Sequence, residues 1–163
     1  MKKTAAKTAR FAGAALAAVA LTSMAPAQSA TVDHLTQNEL LSRALALESE
    51  ATPGGSASAK LAEYPRHFTM IALRKKSGGA EIHEKFADFF FVIRGKATLA
   101  TGGTVVDART VGPGEINGTQ VQGGTRTSLE EGDVVHIPAG VPHQLLLPDH
   151  GEFIYFVIKV QEQ

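Results

Sequence analysis

The sequence predicts an all-β protein, an antiparallel sandwich or barrel, with one amphipathic helix before it. From Tyr64 onward, short apolar or β-branched runs alternate with Gly, Pro and Asp, and no second helical period follows. The run DFFFVIR at 88–94 is apolar on both faces of a strand, so one face should line the interior and the other needs a cover. We predict strands at about 66–74, 80–84, 88–94, 96–101, 104–110, 119–122, 125–129, 134–137, 143–147 and 152–160.

A single helix is predicted at about 36–50. Thr36 and Glu39 have the spacing of a capping box, in which each side chain satisfies a backbone donor at a helix start. Leucines and alanines follow at helical spacing from Leu40. The sequence PGGSAS at 53–58 predicts a flexible connection after this helix.

Residues 1–27 have the features of a signal peptide. Four basic residues precede an apolar stretch too short to cross a bilayer comfortably, and small residues follow it. We predict cleavage after Ala27, with Ala25 and Ala30 as alternatives, and an uncleaved anchor is the competing interpretation. Cleavage implies a periplasmic or secreted protein with no stable membrane anchor.

The mature chain should form one domain, with a helix and linker over 28–63 and a barrel over 64–163. Its 136 residues are enough for one core. Removing four basic residues with the leader leaves twelve basic against sixteen acidic residues, a net charge of −4. Nucleic acid is therefore not an expected partner. The absence of cysteine excludes disulfides and thiolate chemistry.

A motif with fixed spacing occupies the segment GDVVHIPAGVPHQ at 132–144. Five residues separate Gly132 from Pro138, one separates Pro138 from Gly140, and two separate Gly140 from His143. In this spacing the sequence resembles the second motif of the cupin superfamily. His136, in the same segment, has no partner at fixed spacing, so we expect it to be structural.

The upstream motif of a cupin has a partial counterpart here. Four residues separate His83 from Asp88 and six separate Asp88 from Gly95, as in the family pattern, with Asp in place of the usual Glu. Glu81 stands where the family has its first His. The resemblance covers about residues 64–160 and implies a jelly-roll barrel, the cupin-type double-stranded β-helix.

We expect a metal centre formed by Glu81, His83, Asp88 and His143. Residues i and i+2 of a strand share a face, so Glu81 and His83 point the same way. Imidazole and carboxylate ligands suit a divalent Fe, Mn, Zn or Ni ion. For Glu81 three interpretations stay open: it is a fourth ligand, it is a catalytic general base beside a three-ligand ion, or the site has lost its metal.

The resemblance does not select a reaction, because cupins include enzymes of several classes as well as binding modules. Our leading hypothesis is a periplasmic metal-dependent enzyme that acts on a small molecule, of isomerase, lyase or dioxygenase type. The alternative is a non-catalytic cupin that binds a small molecule or a metal. A barrel whose site has decayed is the third hypothesis. The doubly apolar strand at 88–94 also favours a homodimer.

Overall fold

The structure is a computed structural model that describes residues 32–162. The predicted signal peptide, 1–27, lies outside the described residues. Within the described part of the chain, no helix is long and apolar enough to cross a membrane.

The predicted helix is present but shorter than expected. Helix α1 spans Gln37–Ala46, and a 3-10 turn follows at Glu48–Glu50. The capping box is confirmed: the hydroxyl of Thr36 accepts from the backbone N–H of Glu39, and the Glu39 carboxylate accepts from that of Thr36. The helix ends early because its C-terminal turn tightens at Leu47, whose N–H donates to the carbonyl of Ala44.

Thirteen strands follow the helix. They are β1 Ser56–Tyr64, β2 His67–Arg74, β3 Ala80–His83, β4 Phe86–Gly95, β5 Ala97–Thr101, β6 Thr104–Val106, β7 Arg109–Gly112, β8 Glu115–Gly118, β9 Gln120–Gln122, β10 Thr125–Leu129, β11 Val134–Ile137, β12 His143–Leu146 and β13 Phe153–Gln161.

The strands form two main sheets. The first has the order β1-β2-β13-β4-β11, the second has the order β10-β5-β12-β3-β8-β7, and β6 and β9 pair separately. Every pairing that the structure describes is antiparallel, which confirms the predicted fold class.

Strand β1 corrects the predicted linker. The sequence interpretation made 53–58 a flexible connection and placed the barrel start at 64, but Ser56–Tyr64 pairs along most of β2. Small residues obscured this strand, since its Ser and Ala side chains carry little of the β-branched signal by which strands are recognised. The connection is therefore limited to about residues 51–55.

Three apolar clusters stabilise these layers. The largest fills the barrel interior and includes Phe90, Leu99 and Phe153. A second lies between α1 and the outer face of the first sheet, where Leu40 and Ala44 pack with Ile71, Leu73, Ile93 and Ile154. The helix thus shields part of the outer face of β4, the strand whose two faces are both apolar.

The homodimer predicted from the same strand stays a prediction.

Strands β6 and β9 are the paired ends of a long hairpin over 104–122, and they cover the outer face of the second sheet. Val105 and Val121 of the hairpin pack on Ala80 and Ala100. Gln144, buried on β12, fastens this layer: its Oε1 accepts from the N–H of Val121 at 3.0 Å, and its Nε2 donates to the carbonyl of Gly78 at 2.8 Å.

We predict that Gly95→Ala strongly destabilises the barrel. Gly95 has φ +90°, and a Cβ there would collide with the carbonyl oxygen of Glu152. Left-handed backbone strain and steric overlap together should lower the free energy of unfolding by about 3 kcal/mol or more in urea titrations. The matched control is Gly102→Ala, because Gly102 has φ +74° and no atom within 4 Å of its added Cβ. That variant should lose only about 1 kcal/mol; equal losses would contradict the prediction.

Candidate metal centre

Two neighbouring strands bring together three of the predicted ligands. Glu81 and His83 lie on β3, and His143 begins β12 directly opposite Glu81 in the antiparallel register. Asp88 comes from β4 in the other sheet. The four side chains therefore meet across the barrel interior.

The donor atoms of these residues lie close together. Those of Glu81, His83 and His143 lie within 4.8 Å of one another, so these three could hold a metal ion. Nε2 of His83 lies 3.6 Å from Oε2 of Glu81, and Nε2 of His143 lies 3.9 Å from the same oxygen. Oδ2 of Asp88 lies 3.5 Å from Nε2 of His83 and 3.7 Å from Nε2 of His143.

These separations fit a metal ion better than direct hydrogen bonds. Ligands about 2.1 Å from a tetrahedral ion lie about 3.4 Å from one another. Nε2 of His143 is also buried without a hydrogen-bond partner among the described residues, and His143 is 4% exposed. Buried polar atoms rarely lack a partner, so this nitrogen is available to bind a metal ion or another ligand.

Each imidazole ring is held through its other nitrogen. Nδ1 of His143 is 3.0 Å from the carbonyl of Val141, to which it donates, and Nδ1 of His83 is 2.5 Å from Oε2 of Glu115. These bonds turn both Nε2 atoms toward the cluster, as second partners of metal-binding histidines do.

Glu115 was not among the residues predicted for the site. It lies in the glycine-rich stretch between the predicted strands at 104–110 and 119–122, where the sequence predicts no strand. The structure makes it the first residue of β8, directly opposite His83 on β3. The alternation EING at 115–118 was too short to predict that strand.

The electrostatics differ between the two imidazoles. Burial lowers the pKa of His143, so its ring is neutral at neutral pH and able to bind a cation. Burial also acts to lower the pKa of His83, but the neighbouring carboxylates outweigh it and raise that pKa. For Glu81, burial acts to raise the pKa, yet His83 and the charge of Arg74 lower it to about 2.

Asp88 has a partner that the sequence did not predict. Its Oδ1 accepts from Nζ of Lys159 at 2.6 Å, and the two side chains are only 3% and 15% exposed. Lys159 lies opposite Asp88 in the β13–β4 register, so the strand pairing places the two together. One carboxylate oxygen of Asp88 thus faces the imidazoles while the other is neutralised.

A cavity of about 420 Å³ opens onto the cluster, and Glu81, His83 and Asp88 form part of its wall. Apolar side chains, among them Met70, Phe90 and Val157, form another part. The segment before β1 and β1 itself complete the wall, so a strand that replaces part of the predicted linker contributes to the site. The remaining wall residues are Glu50, Thr52, Ser56, Ala57, Ser58, Ala72, Leu73, Arg74, Tyr155 and Lys159.

His136 lies outside this cluster. It is exposed on β11, and its ring stacks on Phe89 with centroids 4.4 Å apart. A structural role was expected for this residue, and the stacking is consistent with one.

Solved structures share this architecture at low sequence identity. The cupin domain of Schizosaccharomyces pombe Cnp3 is 10% identical, with a TM-score of 0.50 over 66% of this chain and 65% of that one. The fold is that of a cupin. The protein TT1209 from Thermus thermophilus is 13% identical, with a TM-score of 0.52 over 73% and 95% of the two chains. A Klebsiella pneumoniae protein with a double-stranded β-helix domain is 16% identical, with a TM-score of 0.50 over 69% and 85%.

The likeness extends to the fold alone. No protein-family model matches the chain, and no curated protein matches it in sequence. The chain spans 65% of the length of the Cnp3 structure, which is less than two thirds.

We predict that Lys159→Met destabilises the metal-free barrel. The substitution leaves the carboxylate of Asp88 buried without its cation, which should lower the free energy of unfolding by about 3 kcal/mol. Urea titrations in the presence of a chelator measure this loss. The double variant Asp88→Asn with Lys159→Met removes both charges and should recover a substantial part of it. A double variant as unstable as the sum of both single variants would contradict the coupling.

Proposed function

We propose that this chain is an exported, metal-dependent cupin enzyme that acts on a small molecule in the barrel cavity, by isomerase, lyase or dioxygenase chemistry. The buried Nε2 of His143, which lacks a partner beside a second imidazole and a carboxylate, is the observation that carries the proposal. It supports a cation at this place, because a neutral imidazole nitrogen beside a second imidazole and a carboxylate is a ready metal ligand.

Glu81, His83 and His143 would hold the ion, with Asp88 beside them. Two nitrogen donors and carboxylate oxygens suit divalent Fe, Mn, Zn or Ni. When bound, such an ion supplies a Lewis-acid centre to which a substrate oxygen can bind.

The protein's own residues would orient the ligands and limit access to water. Glu115 and the carbonyl of Val141 fix the two rings from outside the cluster. The apolar wall of Met70, Phe90 and Val157 restricts water around a bound substrate. A pKa of about 2 makes Glu81 a weak base at neutral pH, which favours its role as ligand over its role as general base.

That same low pKa also favours a second candidate, a non-catalytic cupin that binds a small molecule or a metal. Asp88 is held in an ion pair with Lys159, and the low pKa of Glu81 leaves that carboxylate poorly suited to accept a proton from a substrate. Turnover of diols, uronic acids or keto acids by the metal-loaded chain would exclude this candidate. Saturable binding without turnover would support it.

Export is the part of the proposal that depends on residues 1–27. We expect expression of the full chain in a Gram-negative host to yield a periplasmic protein whose intact mass equals that of residues 28–163. Cleavage at Ala25 or Ala30 would shift this mass by a few residues without changing the conclusion. Recovery of the uncleaved chain from the cytoplasm or the membrane would contradict export.

The metal site can be tested by elemental analysis of the purified chain. We expect about one divalent ion per wild-type chain and less than a tenth as much in His143→Ala, because the variant removes one imidazole donor. The matched control is His136→Ala, which removes an exposed imidazole outside the cluster and should keep the metal. Negligible metal in all three proteins after incubation with Fe, Mn, Zn and Ni salts would refute the proposal.

A further inference from the structure

Arg74 is a cation in the wall of the same cavity. It ends strand β2, and its side chain is 15% exposed. Its Nε donates to the hydroxyl of Tyr155 at 3.1 Å, and Tyr155 is buried on β13. Because this bond uses the inner edge of the guanidinium group, it fixes the group's orientation and leaves the terminal nitrogens for other partners.

The terminal nitrogens of Arg74 make no hydrogen bond within residues 32–162 that the structure describes. Oε1 of Glu81 lies 3.7 Å from Nη2, which is an ion-pair distance but too long for a hydrogen bond. A guanidinium with one edge anchored and its terminal nitrogens unused is preorganised for a planar anion.

The charge balance of the cavity also favours an anion. Lys159 and Asp88 neutralise each other. Among the groups at the cluster, a divalent ion and Arg74 contribute three positive charges, whereas Glu81 and Glu115 contribute two negative ones, so one positive charge remains. Glu50, the other acid of the cavity wall, is exposed to water and is not counted with them. An uncompensated charge in a largely buried site is unfavourable, and a ligand with one negative charge removes it.

We infer that the cavity takes a small monocarboxylic acid, whose carboxylate pairs with the terminal nitrogens of Arg74. This inference rests on the proposed function, since the metal ion enters the charge balance. A carboxylate carries the single charge that the site lacks, whereas a phosphate group carries more than one at neutral pH. The apolar wall of Met70, Phe90 and Val157 would contact the carbon skeleton of the acid.

The test compares lactate with lactamide, which has nearly the same shape and no charge. Metal content is measured first, and calorimetric titration of the metal-loaded chain then gives both affinities. We expect lactate to bind at least tenfold more tightly than lactamide. Equal affinities, or no measurable binding of lactate to a metal-loaded chain, would overturn the inference. Binding of inorganic phosphate as tight as that of lactate would overturn the carboxylic-acid class.

Arg74→Gln tests the residue assignment. We expect it to weaken lactate binding at least tenfold and to leave lactamide binding unchanged. The matched control is Arg94→Gln, because Arg94 is a half-exposed arginine paired with Glu152 rather than part of the cavity wall. If Arg74→Gln does not fold, Arg74→Lys retains the charge without the planar fork and should still weaken lactate binding. Wild-type affinity in a folded Arg74 variant would overturn the assignment.

The two proposals can fail separately. A wild-type chain that holds no metal refutes the proposed function. A chain that holds metal but does not distinguish lactate from lactamide refutes only the acid ligand.

Discussion

Burial of charge inside the barrel is the constraint on which the rest of the structure depends. Acidic and basic side chains line one cavity, and each acid at the metal cluster has a cation near it: Arg74 beside Glu81, and Lys159 beside Asp88. The interior cannot solvate these groups as water would, so each charged side chain must lie near a group of opposite charge. One nitrogen, Nε2 of His143, is left without a partner among the described residues by this arrangement.

Strand pairing fixes the positions of the side chains in this cluster. The register of β12 with β3 sets His143 beside Glu81, and the register of β3 with β8 sets His83 beside Glu115. On the opposite sheet, the register of β13 with β4 sets Lys159 beside Asp88. Backbone hydrogen bonds in two rigid sheets therefore position the side chains of these pairs.

Much of this arrangement could be predicted because it depends on local patterns. The capping box at Thr36 predicted the helix start, and turn residues marked most strands from β2 to β13. The spacing of Glu81 and His83 on one strand is likewise a local property, whereas His143 joins them only through the resemblance to the two cupin motifs. The structure brings the donor atoms of all three together.

The parts that could not be predicted come from pairings between distant strands. Lys159 is 71 residues from Asp88, and Arg74 is 81 residues from Tyr155. The residues next to each cation in the sequence do not distinguish it from a lysine or arginine exposed to water. Glu115 stood in a segment whose glycines indicated loop. Strand β1 carries mostly small side chains, which do not distinguish it from a linker in the sequence. In each case the pairing of strands that are distant in the sequence determines the structure, and local sequence patterns do not show which strands pair.

The outer hairpin has a consequence for how substitutions act at a distance. Gln144 and His143 are adjacent on β12, so their side chains leave opposite faces of the sheet: one fastens the hairpin and the other enters the barrel. A single peptide unit of β12 therefore separates the residue that holds β9 from the imidazole on the other face of the sheet. The glycine-rich segment is thus joined to the metal cluster at two places, through Gln144 on the outer face of the sheet and through the contact of Glu115 with His83.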